Sequence, residues 1–344
     1  MAYTTIDKPS DYFVSNLHTG NGSTQNITGL DFAPNWVWIK DRGDTGHHQL
    51  IDTVRGATKY LSSNDTDAEA TETSGLTSFN SDGFSLGNNT NFNSGDPRTY
   101  VSWNWKAGTS FTNDASSTGV GSIDSTGSVN TDAGFSIVSF TGGGANATIA
   151  HGLGVVPKMI IAKARGRTST WSVYHVSLGA TKFLRFNSTD ALGTEAGWWN
   201  NTEPASSVFT IGTNHYANTQ IAYCFAEKQG FSKFGSYVGN ANTDGTFVYT
   251  GFKPAFVIQK ASSASSYDWV ILDNKRDPFN VADESLYANL SSAVQTSNNT
   301  DFLSNGFKLR STAAGNNGSG TTYIYMAFAE NPFVTSTGVP ATAR

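Results

Sequence analysis

The residues best suited to contact a ligand begin with a pair of adjacent tryptophans. Trp198 and Trp199 stand in the polar stretch AGWWNNTEP and are followed by Asn200. An exposed tryptophan ring can cover the apolar face of a sugar, and a neighbouring amide can bind its hydroxyls. We therefore take these three residues as candidate contacts for a glycan or a protein partner. The structural alternative is that one ring plugs a neighbouring unit or subunit.

A second polar loop, GNNTNFNSGDPR at residues 87–98, contributes three further candidate contacts. These are Asn89, Asn91 and Asn93. Asparagine amides bind sugar hydroxyls, but the same side chains also stabilise turns through local hydrogen bonds. The loop therefore indicates either a binding surface or a set of turns.

Two carboxylate–guanidinium pairs recur at the same spacing. Asp52 is followed at i+3 by Arg55, and Asp273 is followed at i+3 by Arg276. Each pair lies close to a turn, and the corresponding stretch after residue 171 carries His175 instead of an acid. Since a catalytic group would hardly occur in two copies and vanish from the third, the pattern favours structural ion pairs.

Motifs of catalysis and metal binding are missing from the sequence. There is no G-x-x-x-x-G-K-[ST] phosphate loop and no G-x-S-x-G elbow. His47-His48 lacks H-E-x-x-H spacing and a cysteine partner, and Asp65-Thr66-Asp67 is only a fragment of a calcium loop. We expect no catalytic residue, metal or cofactor, hence not an enzyme. A carboxylate pair for glycoside hydrolysis is defined in space rather than by spacing, so a polysaccharide depolymerase stays as the least favoured alternative.

The elements that must position these residues belong to a threefold internal repeat. PNWVWIKDR, PKMIIAKAR and PAFVIQKAS each place a proline before an apolar run that ends at Lys40, Lys163 or Lys260. Equivalent closing segments are YVSWNWKA, QIAYCFAE and YIYMAFAE. Self-similarity at a long period is the signature of repeated structural units.

Each unit has the pattern of β-strands. The segments SDGFSLGN, SSVFTIGT and SNGFKLRS alternate apolar with polar residues, as half-buried strands do. Helical spacing is weak, and the only helix candidate covers residues 283–293. The sequence therefore predicts an all-β chain of three tandem antiparallel β-sandwich-like repeats with extended N- and C-terminal arms. The predicted boundaries are an N-terminal arm at 1–10, repeats at 11–107, 134–229 and 230–334, and a C-terminal arm at 335–344. A Ser/Thr/Gly-rich linker is predicted at 108–133, with room for one short strand at 121–129.

The repeats help to separate core residues from site residues. Trp103 and Trp105 align with large apolar residues in the other copies, so they are predicted to lie in the core. Cys224 falls inside a predicted strand and is expected to be buried and inert. His48 stands where the other copies have Trp171 and Trp269, which we interpret as a residue at the rim of a sheet.

Composition excludes several classes of protein. Charged residues make up 14% of the 344 residues, glycine accounts for 35, and the formal net charge is −5. A chain without a basic stripe is not expected to bind nucleic acid. No stretch is apolar enough for membrane insertion, and MAYTTIDKPSDYF lacks the basic and apolar regions of a signal peptide.

The chain resembles a repeat-containing group of virion-associated proteins of tailed bacteriophages, common in marine viruses and described as tail-fibre-like or structural. The resemblance rests on phrases spread along the chain: WVWIKDR, SFNSDGFSLG, GFSIVSFTG, AHGLGVVPKMII, AYCFAEKQGFSKFGSYVGN, VYTGFKPAFVIQK and YIYMAFAENPFVTSTGVPATAR. It implies a component of the virion, made in the host cytoplasm, without a set of catalytic residues to carry over.

The expected function is that of a non-enzymatic virion structural protein, tail-fibre-like or surface-displayed, that contributes to attachment to the host surface. Its expected partners are other capsid or tail proteins and a host-surface glycan, and we expect a homo-oligomer with a trimer favoured. The alternatives are a capsid or tail decoration (cement) protein with an architectural role, and a glycan-binding module. Three repeats could instead make one chain a pseudo-trimer.

Overall fold

The computed structural model describes residues 2–96 and 98–340 as an all-β protein with several antiparallel sheets. The sheets group along the chain into lobe 1 (13–105), lobe 2 (109–225) and lobe 3 (232–332). A short 3-10 turn at Pro9–Asp11 precedes lobe 1. In the described residues each α-helix spans only four residues, and none has the length and apolarity needed to cross a membrane.

Lobe 1 contains nine strands and one helix. They are β1 (Phe13–Thr19), β2 (Gln25–Thr28), β3 (Trp36–Asp41), β4 (Gln49–Asp52), β5 (Lys59–Leu61), β6 (Ala70–Thr71), β7 (Leu76–Asn80), β8 (Gly83–Leu86), α1 (Thr90–Asn93) and β9 (Thr99–Trp105).

Lobe 2 contains ten strands and two helices. They are β10 (Thr109–Asn113), α2 (Ala115–Thr118), β11 (Ser125–Asn130), β12 (Phe135–Gly142), β13 (Ala147–Ala150), β14 (Met159–Ala164), β15 (Ser172–His175), β16 (Lys182–Arg185), β17 (Gly193–Thr194), α3 (Ala196–Trp199), β18 (Val208–Ile211) and β19 (Asn218–Phe225).

Lobe 3 contains eight strands and one helix. They are β20 (Ser232–Val238), β21 (Phe247–Tyr249), β22 (Phe252–Ala261), β23 (Val270–Asp273), β24 (Ala282–Tyr287), β25 (Gln295–Leu303), β26 (Gly306–Leu309), α4 (Ala314–Asn317) and β27 (Thr322–Pro332).

Each lobe has a large sheet whose neighbouring strands follow one order. The order is β1-β9-β3-β4-β5-β6 in lobe 1, and lobe 2 has β12-β19-β14-β15-β16-β17. Lobe 3 has β20-β27-β22-β23-β24, and its sheet continues through β25, β26 and β21 into a nearly closed, barrel-like sheet of eight strands. A smaller sheet packs behind the large one in lobe 1 (β2-β8-β7) and in lobe 2 (β13-β18).

Two predicted elements have a different structure. Residues 108–133 were expected to be a linker, but β10 and β11 pair as a hairpin and extend the large sheet of lobe 2 beside β12. Their alternating Ser, Thr and Gly residues can form strands because β12 provides the pairing edge. The predicted helix at 283–293 is also wrong: this segment contains most of β24, which is held by pairing with β23 and β25.

The large sheets of all three lobes bury one face against each other in a shared core. Trp36 of lobe 1 stacks on Tyr223 of lobe 2, with ring centroids 4.3 Å apart. Phe13 of lobe 1 stacks on Phe328 of lobe 3 at 5.0 Å. Trp103 and Trp105 are buried in this core, as predicted, and their aromatic area is a major source of its stability. Cys224 is buried on the opposite face of its strand, also as predicted.

Backbone hydrogen bonds join the three lobes into a closed ring. The amide of Ser169 in lobe 2 donates to Thr66 of lobe 1, Ser266 of lobe 3 donates to Thr189 of lobe 2, and Gly46 of lobe 1 donates to Ser291 of lobe 3, each at 2.9 Å. A second set runs in the opposite direction, from Glu69, Leu192 and Val294 to the carbonyls of Arg165, Ser262 and Arg42. Since every lobe has both neighbours, no lobe forms an end.

Ring nitrogens strengthen each junction. The indole Nε1 of Trp171 donates to the carbonyl of Ser62 at 2.9 Å, and that of Trp269 donates to Arg185 at 3.0 Å. His48 occupies the equivalent place in lobe 1 and is fully buried rather than at a rim. Its Nδ1 accepts from Trp38, so its Nε2 donates to the carbonyl of Tyr287 at 2.9 Å.

The predicted ion pairs are confirmed, and both lie at junctions. Asp52 binds Arg55 Nε at 2.5 Å and also accepts the hydroxyl proton of Tyr223, in the next lobe, at 2.8 Å. Asp273 binds Arg276 in the same way and accepts from Trp103 Nε1 at 3.0 Å.

The third junction uses a histidine instead of an acid. Met326 stands where the other lobes have Trp103 and Tyr223, and a thioether has no proton to donate. Lobe 2 correspondingly has His175, whose Nε2 donates to the carbonyl of Tyr325 at 3.1 Å. Burial lowers the pKa of His175 to about 4, which keeps it neutral.

Three equivalent lysines are buried near the junctions. The ammonium groups of Lys40, Lys163 and Lys260 donate to backbone carbonyls, and those of Lys163 and Lys260 reach carbonyls of the preceding lobe, Thr66 and Thr189. Burial lowers the pKa of each to about 8, because the charged form loses its hydration.

The terminal segments pack against the body instead of extending from it. Ile6 is buried in the shared core, and Thr4 donates to the carbonyl of Gln229 at 2.7 Å. Asp7 accepts hydrogen bonds from Ser336, which brings the two ends of the chain together. The N-terminal arm was therefore wrong as an extended segment. Of the predicted C-terminal arm, residues 341–344 lie outside the described residues.

Replacing Asp52 should destabilise the junction between lobes 1 and 2. Asp52→Ala leaves Arg55 buried without its partner, so the free energy of unfolding should fall by about 3–5 kcal/mol. Tyr223→Phe removes one hydrogen bond to the acid and should cost about 1–2 kcal/mol. Urea denaturation measures both. The control is Tyr249→Phe, which alters an exposed hydroxyl and should change stability by less than about 0.5 kcal/mol. A Tyr223→Phe result equal to the control would contradict the role of this bond.

The buried lysines should make the protein more stable in mild alkali. Their pKa is about 8 in the fold and near 10.5 in the unfolded chain. Between these values the unfolded chain binds more protons, so the free energy of unfolding rises with pH. Unfolded tyrosines oppose this trend near pH 10. The urea midpoint should therefore be higher at pH 9.5 than at pH 7.5, and Lys163→Met should remove about a third of the rise. A midpoint that falls over this interval would refute the expectation.

Candidate functional site

A polar pocket of about 340 Å³ opens at one end of lobe 2. We call it the lobe-2 pocket. Its walls come from β14, β15 and the loop between them, from the end of β16, from α3, and from the loop at 212–217 with the start of β19. A cavity of this size is at the lower end of the ~300–1,000 Å³ typical of ligand pockets. It is therefore suited to a small ligand or to the terminal group of a larger one.

The pocket exists because the small sheet of lobe 2 is short. That sheet has two strands, whereas the corresponding sheet of lobe 1 has three. Helix α3 occupies part of the space behind the large sheet. Its backbone is tied to the next loop by hydrogen bonds from Gly212 to Trp198 (2.8 Å) and from Asn214 to Gly197 (2.7 Å). A Cβ on Gly212 would lie 2.5 Å from the carbonyl oxygen of Gly197, so this approach requires glycine.

Small side chains on the large sheet leave the remaining space open. Ala162 pairs across the strands with Ser172 and both line the pocket. The pairs in the same register are Ile39 with Gln49 in lobe 1 and Gln259 with Val270 in lobe 3. In lobe 1, the corresponding place beside Gln49 holds a smaller cavity of about 250 Å³.

The tryptophans predicted to be exposed are buried. Trp198 is 8% exposed and Trp199 is 2% exposed. Trp198 packs on Phe183 with ring centroids 5.1 Å apart, and Trp199 packs on Tyr174 at 6.0 Å. The polar context AGWWNNTEP concealed this burial because α3 turns both rings into the space left by the short sheet. Trp198 still lines the pocket.

Three buried nitrogens in this region have no hydrogen-bond partner among the described residues. They are Nε1 of Trp198, Nε1 of Trp199 and Nε2 of His215. His215 lies against both indoles, with centroid distances of 5.7 and 5.4 Å. Burial lowers the pKa of His215 to about 4, so the ring is neutral at pH 7. A buried polar group without a partner is costly, and Trp198 and His215 both line the pocket.

Charge is concentrated at the mouth of the pocket. The guanidinium of Arg167 lies over the ring of exposed Tyr216, 4.0 Å from its centroid. Arg185 pairs with Asp190 at 3.1 Å and also contacts the lining. Glu195 is the only carboxylate among the described lining residues. Because Asp190 neutralises Arg185, the remaining charges of the lining are the Arg167 guanidinium and the Glu195 carboxylate.

The four candidate asparagines are not brought to this pocket. Asn200 ends α3 and accepts a hydrogen bond from Asn146 at 2.8 Å. Asn89 caps α1 in lobe 1, where its Oδ1 accepts from the amide of Asn91 at 2.9 Å. Asn91 lines a separate cavity of about 250 Å³ in lobe 1.

Asn93 has a structural role. It is fully buried, and its amide donates to Asn21, Ser23 and Gly87, which fixes the loop between β1 and β2. Asn317 of lobe 3 makes the equivalent contacts to Asn240, Asn242 and Ser311. The loop at 87–98 is therefore largely a set of turns.

Sequence reasoning missed Arg167, His215 and Tyr216 as lining residues. A signal was present in the aligned copies, since Ala162 and Ser172 are smaller than both of their counterparts. Most glycoside hydrolases use a pair of carboxylates, whereas Glu195 is the one carboxylate among the described lining residues. In residues 2–96 and 98–340, no cluster of three or more His, Cys, Asp or Glu could hold a metal ion.

Truncation of the buried ring should cost stability. Trp199→Ala leaves a large cavity beside Tyr174, so the free energy of unfolding should fall by about 3–5 kcal/mol in urea denaturation. Tyr216→Ala, at the exposed mouth of the same pocket, should change it by less than about 1 kcal/mol. Equal effects of the two variants would mean that Trp199 does not support the lobe.

Comparison with known proteins places nearly the whole chain in one family. No curated protein matches the sequence. One family profile matches residues 8–332, which include all three lobes. The chain therefore belongs to the family described as "Domain of unknown function (DUF7483)".

Proposed function

We propose that the chain is a non-enzymatic structural protein of a bacteriophage particle, displayed on its surface in a tail-fibre-like position and contributing to attachment to the host. The observation that carries this proposal is the combination of a closed, rigid ring of lobes with one polar pocket at its rim. The ring provides a scaffold without any disulfide, since the chain has a single cysteine. The pocket offers unpaired donors and one carboxylate, which favours recognition over hydrolysis.

We infer that the three lobes are tandem copies of one β-sandwich-like unit. The shared strand order, the equivalent junction hydrogen bonds and the three buried lysines support this inference. In such an arrangement one chain provides the threefold body that fibre proteins commonly obtain from three chains.

A homotrimer of the whole chain stays a prediction. Lobe 3 has the apolar surface that such an assembly would use, because Phe279 is 72% exposed and Phe247 and Tyr249 are also exposed. The virion, with synthesis in the host cytoplasm, is the proposed location.

The architectural alternative is a decoration or cement protein of the capsid or tail. It would use terminal arms to reach neighbouring subunits. Packing of Thr4 and Ile6 into the body favours the attachment role over this one.

Labelling of intact particles tests the proposal. Antibodies against the purified protein, detected by immunogold electron microscopy, should decorate the surface of undisrupted particles. Purified protein in excess should also reduce adsorption of particles to host cells several-fold, and urea-denatured protein, as the control, should not. Label that appears only after disruption of the particles, or no competition at all, would overturn the attachment role.

A further inference from the structure

We propose that the lobe-2 pocket binds a saccharide that carries a carboxylate, with Arg167 pairing the acid group and Tyr216 lying against the sugar ring. This inference rests on the proposed attachment function and adds the chemical class of the ligand. It is carried by the Arg167 guanidinium at the mouth, by the polar lining and by the unpaired indole nitrogen of Trp198.

The lining matches the hydrogen-bonding groups of a sugar. Hydroxyls of Thr168, Thr170 and Ser172 and the amide of Asn214 face one small volume. Each hydroxyl both donates and accepts, and a saccharide presents the same dual groups. The hydroxyl of Thr170 already donates to Asn187 at 2.7 Å, so its oxygen lone pairs are what it offers to a ligand.

The wall behind this lining provides polar nitrogens that the protein leaves without a partner. The indole Nε1 of Trp198 is a donor, and the imidazole Nε2 of His215 donates or accepts according to its tautomer; neither has a partner among the described residues. Both side chains are more than nine-tenths buried, at 8% and 3% exposure. A hydroxyl that reaches this depth gains hydrogen bonds that water in the open mouth does not replace.

The charge at the mouth favours an acidic ligand. Arg185 is engaged with Asp190, whereas Arg167 has no carboxylate within 4.0 Å among the described residues. Its guanidinium is instead held over Tyr216. A guanidinium fixed by stacking is preorganised to bind a carboxylate through two parallel hydrogen bonds. The face of the Tyr216 ring that the guanidinium leaves uncovered offers an apolar surface for the C–H face of the sugar.

The other lobes lack this combination. The residue of lobe 1 at the position of Arg167 is Asp44, an acid that pairs with Arg98 at 2.8 Å. Lobe 1 has a cavity of about 250 Å³ beside Gln49, but Asp65 and Asp67 line it and no arginine does. Lobe 3 carries the larger pair Gln259 and Val270 in the same register. The arginine, the aromatic ring and the hydroxyl lining therefore occur together in lobe 2.

A matched pair of sugars tests the inference. Methyl β-D-glucuronide and methyl β-D-glucoside differ only in the carboxylate, and saturation-transfer NMR titration of the full chain measures both. The glucuronide should bind about tenfold more tightly than the glucoside, as one charge-assisted bidentate pair allows. Arg167→Gln should reduce this preference to near unity. Arg310→Gln, which alters a similarly exposed arginine in lobe 3, should leave it unchanged.

A second variant tests the cavity itself. Ala162→Ile introduces the side chain that lobe 1 carries in the same register and should abolish binding of both sugars. A thermal melt reports whether this variant folds. If it does not fold, Arg167→Gln still tests the inference, because Arg167 is exposed and its replacement should not disturb the fold.

Equal affinity for the two sugars, or a preference that survives Arg167→Gln, would overturn the inference. Inorganic sulfate or phosphate that binds as tightly as the glucuronide would also overturn it, because the pocket would then be a simple anion site. If immunogold labelling and adsorption competition succeed while sugar binding fails, the attachment role stands and only the ligand assignment falls.

Discussion

Coverage of three apolar sheet faces is the constraint on which the structure depends. Each large sheet packs its own small sheet, or the rolled end of its own barrel-like sheet, on one face and leaves an aromatic face on the other. If two of the large sheets packed face to face, the aromatic face of the third would stay exposed. Three sheets arranged in a ring cover all three aromatic faces at once. Trp36, Tyr223 and Phe328 meet in the resulting core. Without disulfides, the hydrophobic free energy of this common burial has to hold the chain together.

At the junctions, charged residues of types that usually lie at the surface are buried in the core. Asp52 and Asp273 are tolerated at full burial because an arginine and a ring or hydroxyl proton of the next lobe satisfy their oxygens. The lysines are tolerated in a different way, mainly through backbone carbonyls, and their lowered pKa reflects the lost hydration. By contrast, the buried ring nitrogens of Trp198, Trp199 and His215 near α3 have no such partner among the described residues.

The sequence supported the β-strands, the buried Trp103 and Trp105, and the Asp–Arg pairs, because those features depend on local pattern and recur in several copies. It failed where a neighbour decides the outcome. The hairpin at 109–130 pairs with the edge that β12 offers, and residues 283–287 of the predicted helix are strand because they pair with β23 and β25. Trp198 and Trp199 stand among polar residues and are buried by a gap in another sheet. His48 could not be placed until Tyr287, 239 positions away, was known as its acceptor.

The replacement of an acid by His175 at one junction gives the lobes a fixed cyclic sequence. Asp52 accepts a hydrogen bond from a hydroxyl, and Asp273 accepts one from an indole. His175 instead donates to a backbone carbonyl, because the neighbouring lobe has Met326, which has no proton to donate. Exchange of lobes 2 and 3 would place Asp52 opposite Met326, and the acid would lose a donor that it has in the native order. The three interfaces therefore differ in their donor and acceptor groups, and this difference specifies which lobe follows which around the ring.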